Sequence, residues 1–278
     1  VPELPEVETI RRQFDSFVVG ATIDAVDVRW AKSLQGVDLE PQAVVGRSIV
    51  GVARRGKVLE LDLDGGISLL VHLRMTGQLM VVDASLPRDA WDVDTTRVVF
   101  SLDDGRFLVF NDQRKFGRLV VIATDRVSSV PFIATLGPEP ISEGFDGAVL
   151  SARLERHGRL CIKQAMLDQR IVAGIGNIYA DEALWLAGLS PERRCATLTR
   201  EEVDRLSAAM RSVLERGIEH GGATMRDYRD ARGDRGSYLD EAYVFGRTNE
   251  RCTRCGDKIV KIRVAGRGTH VCPGCQRP

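Results

Sequence analysis

Apolar residues recur three and four apart at the start of the chain, at Val7, Ile10, Phe14 and Phe17, which predicts a helix close behind the first residues. The period then shortens to two. Leu59, Leu61 and Leu63 alternate with Glu60, Asp62 and Asp64, the pattern of a half-buried strand. Residues 97–102 and 107–112 flank Asp104-Gly105, a dipeptide that suits a hairpin turn. Strand signals without intervening helices continue to about residue 123 and imply an antiparallel sandwich or a barrel-like domain. Prolines and glycines crowd residues 131–147 and set a domain boundary near residue 135. Beyond it the period is helical, through Val149, Leu150 and Leu154 into residues 162–169. Ala173-Gly174-Ile175-Gly176-Asn177 opens a further helix through Leu184. A glycine-flanked turn feeding a helix suits a phosphate, although glycines also merely turn chains. Thr199 and Glu202 form a capping box for a helix that buries Val203, Leu206, Met210 and Val213. Residues 221–238 hold four glycines and seven charges with no apolar period, which predicts a long, mobile, functional loop.

Composition narrows this picture. A chain of 278 residues, 44% hydrophobic and 28% charged, is long enough for two globular domains. The longest apolar runs, such as 119–123, are too short to span a bilayer, so no membrane role is expected. The first residues lack a signal-peptide pattern, which predicts a cytoplasmic protein. Formal net charge is zero, yet residues 241–278 carry eight Lys/Arg against three Asp/Glu, a basic end suited to nucleic acid. Cys161 and Cys195 stand alone and read as small core residues. Cys252, Cys255, Cys272 and Cys275 form two CxxC pairs separated by sixteen residues. That is zinc-ribbon spacing, and four filled positions make one structural Zn²⁺. The four histidines have no paired spacing and receive no chemistry.

The first eight residues, VPELPEVE, hold a candidate nucleophile. Once Val1 is removed, Pro2 carries a free secondary amine, and α-amino groups titrate near ~7.7–8.0. Attack on a sugar C1′ gives a permanently cationic iminium, and Glu3 beside it can move protons. A proline there also simply starts a helix, with Glu6 and Glu8 as first-turn carboxylates favoured by the dipole. Arg54-Arg55-Gly56-Lys57 and the cluster at 111–117 read singly as solvated strand ends.

Together these stretches resemble the bacterial formamidopyrimidine-DNA glycosylases. The match runs in the family's order through PELPEVE, RRGK at 54–57, HLRMTGQL at 72–79 and NDQRKFG at 111–117. It continues with LGPEP at 136–140, DQRIVAGIGNIYADE at 168–182 and CxxC…GRGT…CPGCQ. Leu4 favours the oxidised-purine branch over the endonuclease VIII type, which typically opens PEGPE.

The resemblance implies an α+β multidomain protein. An N-terminal antiparallel β-sandwich would occupy residues 1–133. A helix–two-turn–helix domain with a lesion-capping loop would span 134–240, and a zinc-ribbon β-hairpin 241–278. It implies a bifunctional glycosylase and AP lyase acting on damaged double-stranded DNA as a monomer. Pro2 would form the Schiff base, with Glu3 as proton-transfer partner. Lys57 would contact the phosphodiester and Arg267 would assist δ-elimination. Met75, Arg114 and Phe116 would fill the gap left by a flipped base, beside Lys115, where the family commonly has a second arginine. Lys163 and Asn177, joined by Arg159, would hold phosphates. Residues 91–97 lack the histidine that the family often carries there. With Val1 retained, the same chain would be a non-catalytic damage binder.

Overall fold

The computed structural model describes residues 2–224 and 228–277. Val1, on which the free amine depends, and residues 225–227 of the glycine-rich loop lie outside the described residues. Contacts divide the chain into one unit of residues 1–134 with 221–236, and a second of 135–220 with 237–278.

In the first unit helix α1 (Leu4–Phe17) is followed by nine strands. They are β1 (Ile23–Val28), β2 (Leu34–Val37), β3 (Ile49–Arg55), β4 (Val58–Leu63), β5 (Ile67–His72), β6 (Gly77–Val82), β7 (Thr96–Leu102), β8 (Phe107–Asp112) and β9 (Arg118–Ala123). Two sheets form, ordered β1-β7-β8-β6 and β2-β9-β5-β4-β3. The expected hairpin is β7–β8, with Gly105 at φ 86° in its turn. One pair departs from the antiparallel expectation, because β2 runs parallel to β9. The chain between them crosses both sheets, and such a crossover is what parallel neighbours need. Val7, Ile10 and Phe14 of α1 join Leu59, Leu61, Leu69, Phe100 and Phe110 in one core. Glu60, read as solvent-facing, is only 3% exposed because β4 is an inner strand, and Arg55 Nε donates to it at 3.0 Å.

The glycine-rich loop departs from expectation in its attachment. Tyr228 and Ala231 are 6% and 0% exposed within the core of the first unit. Val81 N donates to Ala231 O (3.0 Å), and Ala231 N donates to Gln13 Oε1 (2.9 Å). The backbone of Ala231 therefore fastens this stretch to α1 and β6.

The second unit contains α3 (Gly147–Glu155), α4 (Ile162–Leu167), α5 (Asn177–Ala187), α6 (Arg200–Glu219) and the hairpin β10 (Val260–Val264) and β11 (Arg267–Val271). Short α2 (Pro131–Ala134) closes the first unit. The capping box of α6 is present, with Thr199 N bonded to Glu202 Oε2 at 2.9 Å, and its four predicted apolar residues are buried. Turns at 168–176 separate α4 from α5, the two helices of the expected unit. Residues 241–278, expected as a separate domain, join the helical residues in one unit. Among the described residues no helix is long and apolar enough to cross a membrane.

Candidate nucleic-acid interface and catalytic residues

Pro2 is buried directly ahead of α1, and Glu3 (2% exposed) is the helix N-cap in extended conformation. Glu6, which the sequence suggested as a dipole-facing carboxylate, is instead buried. Its Oε2 accepts from Glu3 N and its Oε1 from Ala223 N, each at 2.6 Å. One carboxylate therefore ties the residue next to the candidate nucleophile to the loop at 221–236. Glu8 is equally internal, accepting from Arg54 Nε (2.9 Å) and Arg12 Nε (3.0 Å). Burial opposes ionisation of Glu8, but these arginines win and hold its carboxyl below the usual range. Of the RRGK cluster, Arg54 is thus committed to α1. Lys57 sits half-buried in the β3–β4 turn, beside Gly56 at φ 59°. His72 pairs with Val58 at that end of the sheet, and burial, helped by Arg74 and Lys57, pushes its pKa down to about 3.

Met75, Arg114 and Phe116, far apart in sequence, come together on the surface. Arg114 Nη1 lies 3.0 Å from Met75 Sδ, and the guanidinium carbon stands 4.8 Å from the Phe116 ring centre. Met75 is 40% exposed and Phe116 48%, so two large apolar groups face solvent with a cation between them. Lys115, at φ 59°, is turned away onto the Trp30 ring, its ammonium 4.1 Å from the ring centre.

In the second unit, α5 organises the candidate contacts. Lys163, expected at a phosphate, is corrected. It is 0% exposed and its ammonium pairs with Asp181 of α5, so its charge is spent inside the protein. The other oxygen of Asp181 accepts from His270 N at 2.8 Å, which fastens β11 to α5. Replacing Lys163 with Met is expected to lower stability by about 3–5 kcal/mol, because it leaves a buried carboxylate without its cation. An unchanged urea midpoint would refute this. Asn177 begins α5 and its Nδ2 donates to Gly268 O at 3.0 Å. Its Oδ1 is buried with no hydrogen-bond partner among the described residues, leaving an acceptor at the helix start. Arg267 follows a two-residue turn whose Ala265 (φ 49°) and Gly266 (φ 75°) are both left-handed, and it is exposed. Arg159 is exposed beside Arg156 and Arg194 around a cleft of the helical unit.

The cysteine site fits zinc. All four Sγ atoms lie within 4.8 Å of one another, with Cys252–Cys275 at 3.8 Å and Cys255–Cys272 at 3.3 Å. Tetrahedral thiolates ~2.3 Å from a zinc ion stand about 3.8 Å apart. Trp185 Nε1 donates to Cys252 Sγ at 3.3 Å, so α5 also supports the metal centre. Glu182 of α5 accepts from the backbone N–H groups of Tyr243, Val244 and Phe245 at 2.7–2.9 Å. Burial pushes its carboxyl pKa up, against the pull of those three donors.

Sequence reasoning missed Glu6, Asp112, Asp181 and Glu182. A usable signal existed for the last two, since adjacent acids inside the apolar helix IYADEALWLA must find partners when buried.

A β-sandwich unit with an exposed Arg–Met–Phe cluster, and a helical unit bearing a zinc ribbon, define the architecture of a DNA-lesion glycosylase. Family models match in chain order: the formamidopyrimidine-DNA glycosylase N-terminal domain over residues 1–119, its H2TH domain over 136–229, and the zinc finger found in FPG and IleRS over 249–278. The formamidopyrimidine-DNA glycosylase of Desulfitobacterium hafniense is 45% identical over 99% of this chain and 100% of its own. The structure of a Lactococcus lactis FPG mutant with Fapy-dG-containing DNA superposes with a TM-score of 0.90, at 36% identity over 100% of both chains. The MutM (FPG) protein of Thermus thermophilus gives 0.88 at 42% identity, covering 99% of this chain and 98% of that one. The chain belongs to the formamidopyrimidine-DNA glycosylase family.

Proposed function

We propose that this chain excises 8-oxoguanine and formamidopyrimidines from duplex DNA and then cuts the strand on both sides of the sugar, in base excision repair. The observation that carries the reading is the exposed cluster of Met75, Arg114 and Phe116. Its exposed apolar groups suit entry into a base stack, where refilling the gap offsets part of the roughly few kcal/mol needed to flip a nucleotide. A guanidinium among them can donate two hydrogen bonds to an orphaned cytosine.

In this mechanism the Pro2 nitrogen attacks C1′ and the oxidised base leaves. Glu3 protonates the ring oxygen as the sugar opens to an iminium. Loss of a C2′ proton expels the 3′-phosphate, and a second elimination expels the 5′-phosphate. Lys57 contacts the phosphodiester and donates a proton during the first elimination, while Arg267 grips a phosphate during the second. Arg159 and Asn177 are the further DNA contacts, whereas Lys115 would have to leave the Trp30 ring to join them. One chain supplies every residue named, which supports action as a monomer, bound to DNA in the cytoplasm.

Incision of an 8-oxoguanine·C duplex should leave phosphate on both ends of the gap. Products ending in an unsaturated aldehyde would remove δ-elimination from the proposal. Faster excision of thymine glycol than of 8-oxoguanine would overturn the lesion class.

A further inference from the structure

We infer that Asp112 is the positioning residue that holds the gap-filling side chains in one geometry, an inference that rests on the reading of Met75, Arg114 and Phe116 given above. Asp112 is 0% exposed at the end of β8, facing Gly77 of β6 across the ladder. Its carboxylate receives donors from both loops that carry the cluster. Oδ1 accepts from the Thr76 hydroxyl and from Arg114 N (3.2 Å). Oδ2 accepts from Gly117 N at 2.6 Å. Thr76 Oγ1 in turn accepts from Arg114 N at 3.1 Å, so Thr76, next to Met75, and Arg114 are joined directly as well.

The backbone of Asp112 is equally committed. Its N donates to Thr95 O (2.9 Å) and its O accepts from Arg97 Nε (2.8 Å), which braces the turn against residues 94–97. Gly117 permits the tight closure: a Cβ there would lie 2.4 Å from Phe110 Cζ and 3.1 Å from Asp112 Oδ2. Asp112 has no surface left for DNA, so it acts on DNA only through the loops. A buried carboxylate with three donors fixes them better than one hydrogen bond could, since each lost acceptor leaves a donor unpaired.

Asp112→Asn keeps size but removes one acceptor. The Thr76 hydroxyl can rotate to accept from the new amide, but the Arg114 and Gly117 N–H groups cannot: with the amide nitrogen in the Oδ1 place Arg114 N keeps only Thr76 Oγ1, and with it in the Oδ2 place Gly117 N loses its acceptor. Thr76→Val removes one donor, and Thr76→Ser restores it. The measurement is single-turnover excision of 8-oxoguanine opposite cytosine and opposite adenine, with β-elimination at an abasic site in a single-stranded oligonucleotide alongside. A single strand has no opposite base and no gap to fill.

Asp112→Asn and Thr76→Val should each shrink the cytosine-to-adenine ratio at least about threefold, towards that of Arg114→Ala, and leave single-strand elimination within about twofold. Thr76→Ser should retain the parent ratio. If Asp112→Asn fails to fold, the Thr76 pair decides alone. Parent ratios in Asp112→Asn and Thr76→Val would overturn the inference, as would equal losses in duplex and single-strand reactions, which mark a merely structural role. A parent enzyme that does not distinguish cytosine from adenine would instead defeat the reading of the cluster itself.

Discussion

Borohydride should trap this protein on an 8-oxoguanine duplex as a covalent adduct at Pro2, and Pro2→Gly should cut trapping about a hundredfold, some 3 kcal/mol of barrier. A secondary amine gives an iminium that needs no proton to stay cationic, whereas the primary amine of glycine must hold one. The competing nucleophile is Lys57, half-buried in the β3–β4 turn. A lysine amine ordinarily titrates near ~10.4 and is almost wholly protonated at neutral pH, whereas an α-amino group is partly free. Glycine keeps a primary α-amine, so a small residue of activity is expected. Pro2 nitrogen is an amide while Val1 precedes it, so intact mass and trapping must agree: only protein beginning at Pro2 should form the adduct. Peptide mapping that placed the adduct on Lys57 would refute the mechanism, as would equal trapping by protein that retains Val1.

Removing zinc, by chelation or by Cys272→Ser, should lower duplex affinity at least about tenfold while most of the helix signal survives. Structural zinc sites supply on the order of 10–16 kcal/mol to small domains without their own core. The apolar support here is small: Trp185, Val244, Cys252, Ile259 and Cys272, with a few half-buried neighbours. The sandwich has a core that does not include the metal site, and α6 buries an apolar face of its own. Arg267, Lys261, Arg263 and Lys258 all lie on or beside the clamped hairpin and are exposed, so loss of order there costs cationic contacts to phosphate. Hydrogen bonds from His270 to Asp181 and from 243–245 to Glu182 would still tether a metal-free hairpin. Metal-free protein binding as tightly as the zinc form would mean that these bonds suffice and that zinc is dispensable for binding.

The features legible from the sequence are those written within a few residues of one another. Alternation marked β4, Asp104-Gly105 marked the β7–β8 hairpin, Thr199 with Glu202 marked the start of α6, and two CxxC pairs marked the metal site. Each is a short-range relation, fixed by backbone geometry or by ligand spacing, so it survives whatever the rest of the chain does. The cluster of Met75, Arg114 and Phe116 was named only through the family resemblance, because nothing local says that residue 75 meets residue 114.

Tertiary structure alone decided where the charged side chains are spent. Lys163 and Asp181 belong to different helices and are both fully buried, so a residue that reads as a surface cation is an internal counter-ion. Glu6 reaches Ala223 across 217 positions, and Gln13 reaches Ala231 across 218, which attaches the glycine-rich loop to α1. The parallel pairing of β2 with β9 and the donors gathered on Asp112 have the same origin. A polar side chain has no intrinsic periodic preference strong enough to reveal its partner. Its direction is set when packing removes water from around it and leaves one arrangement of donors and acceptors that satisfies every buried group.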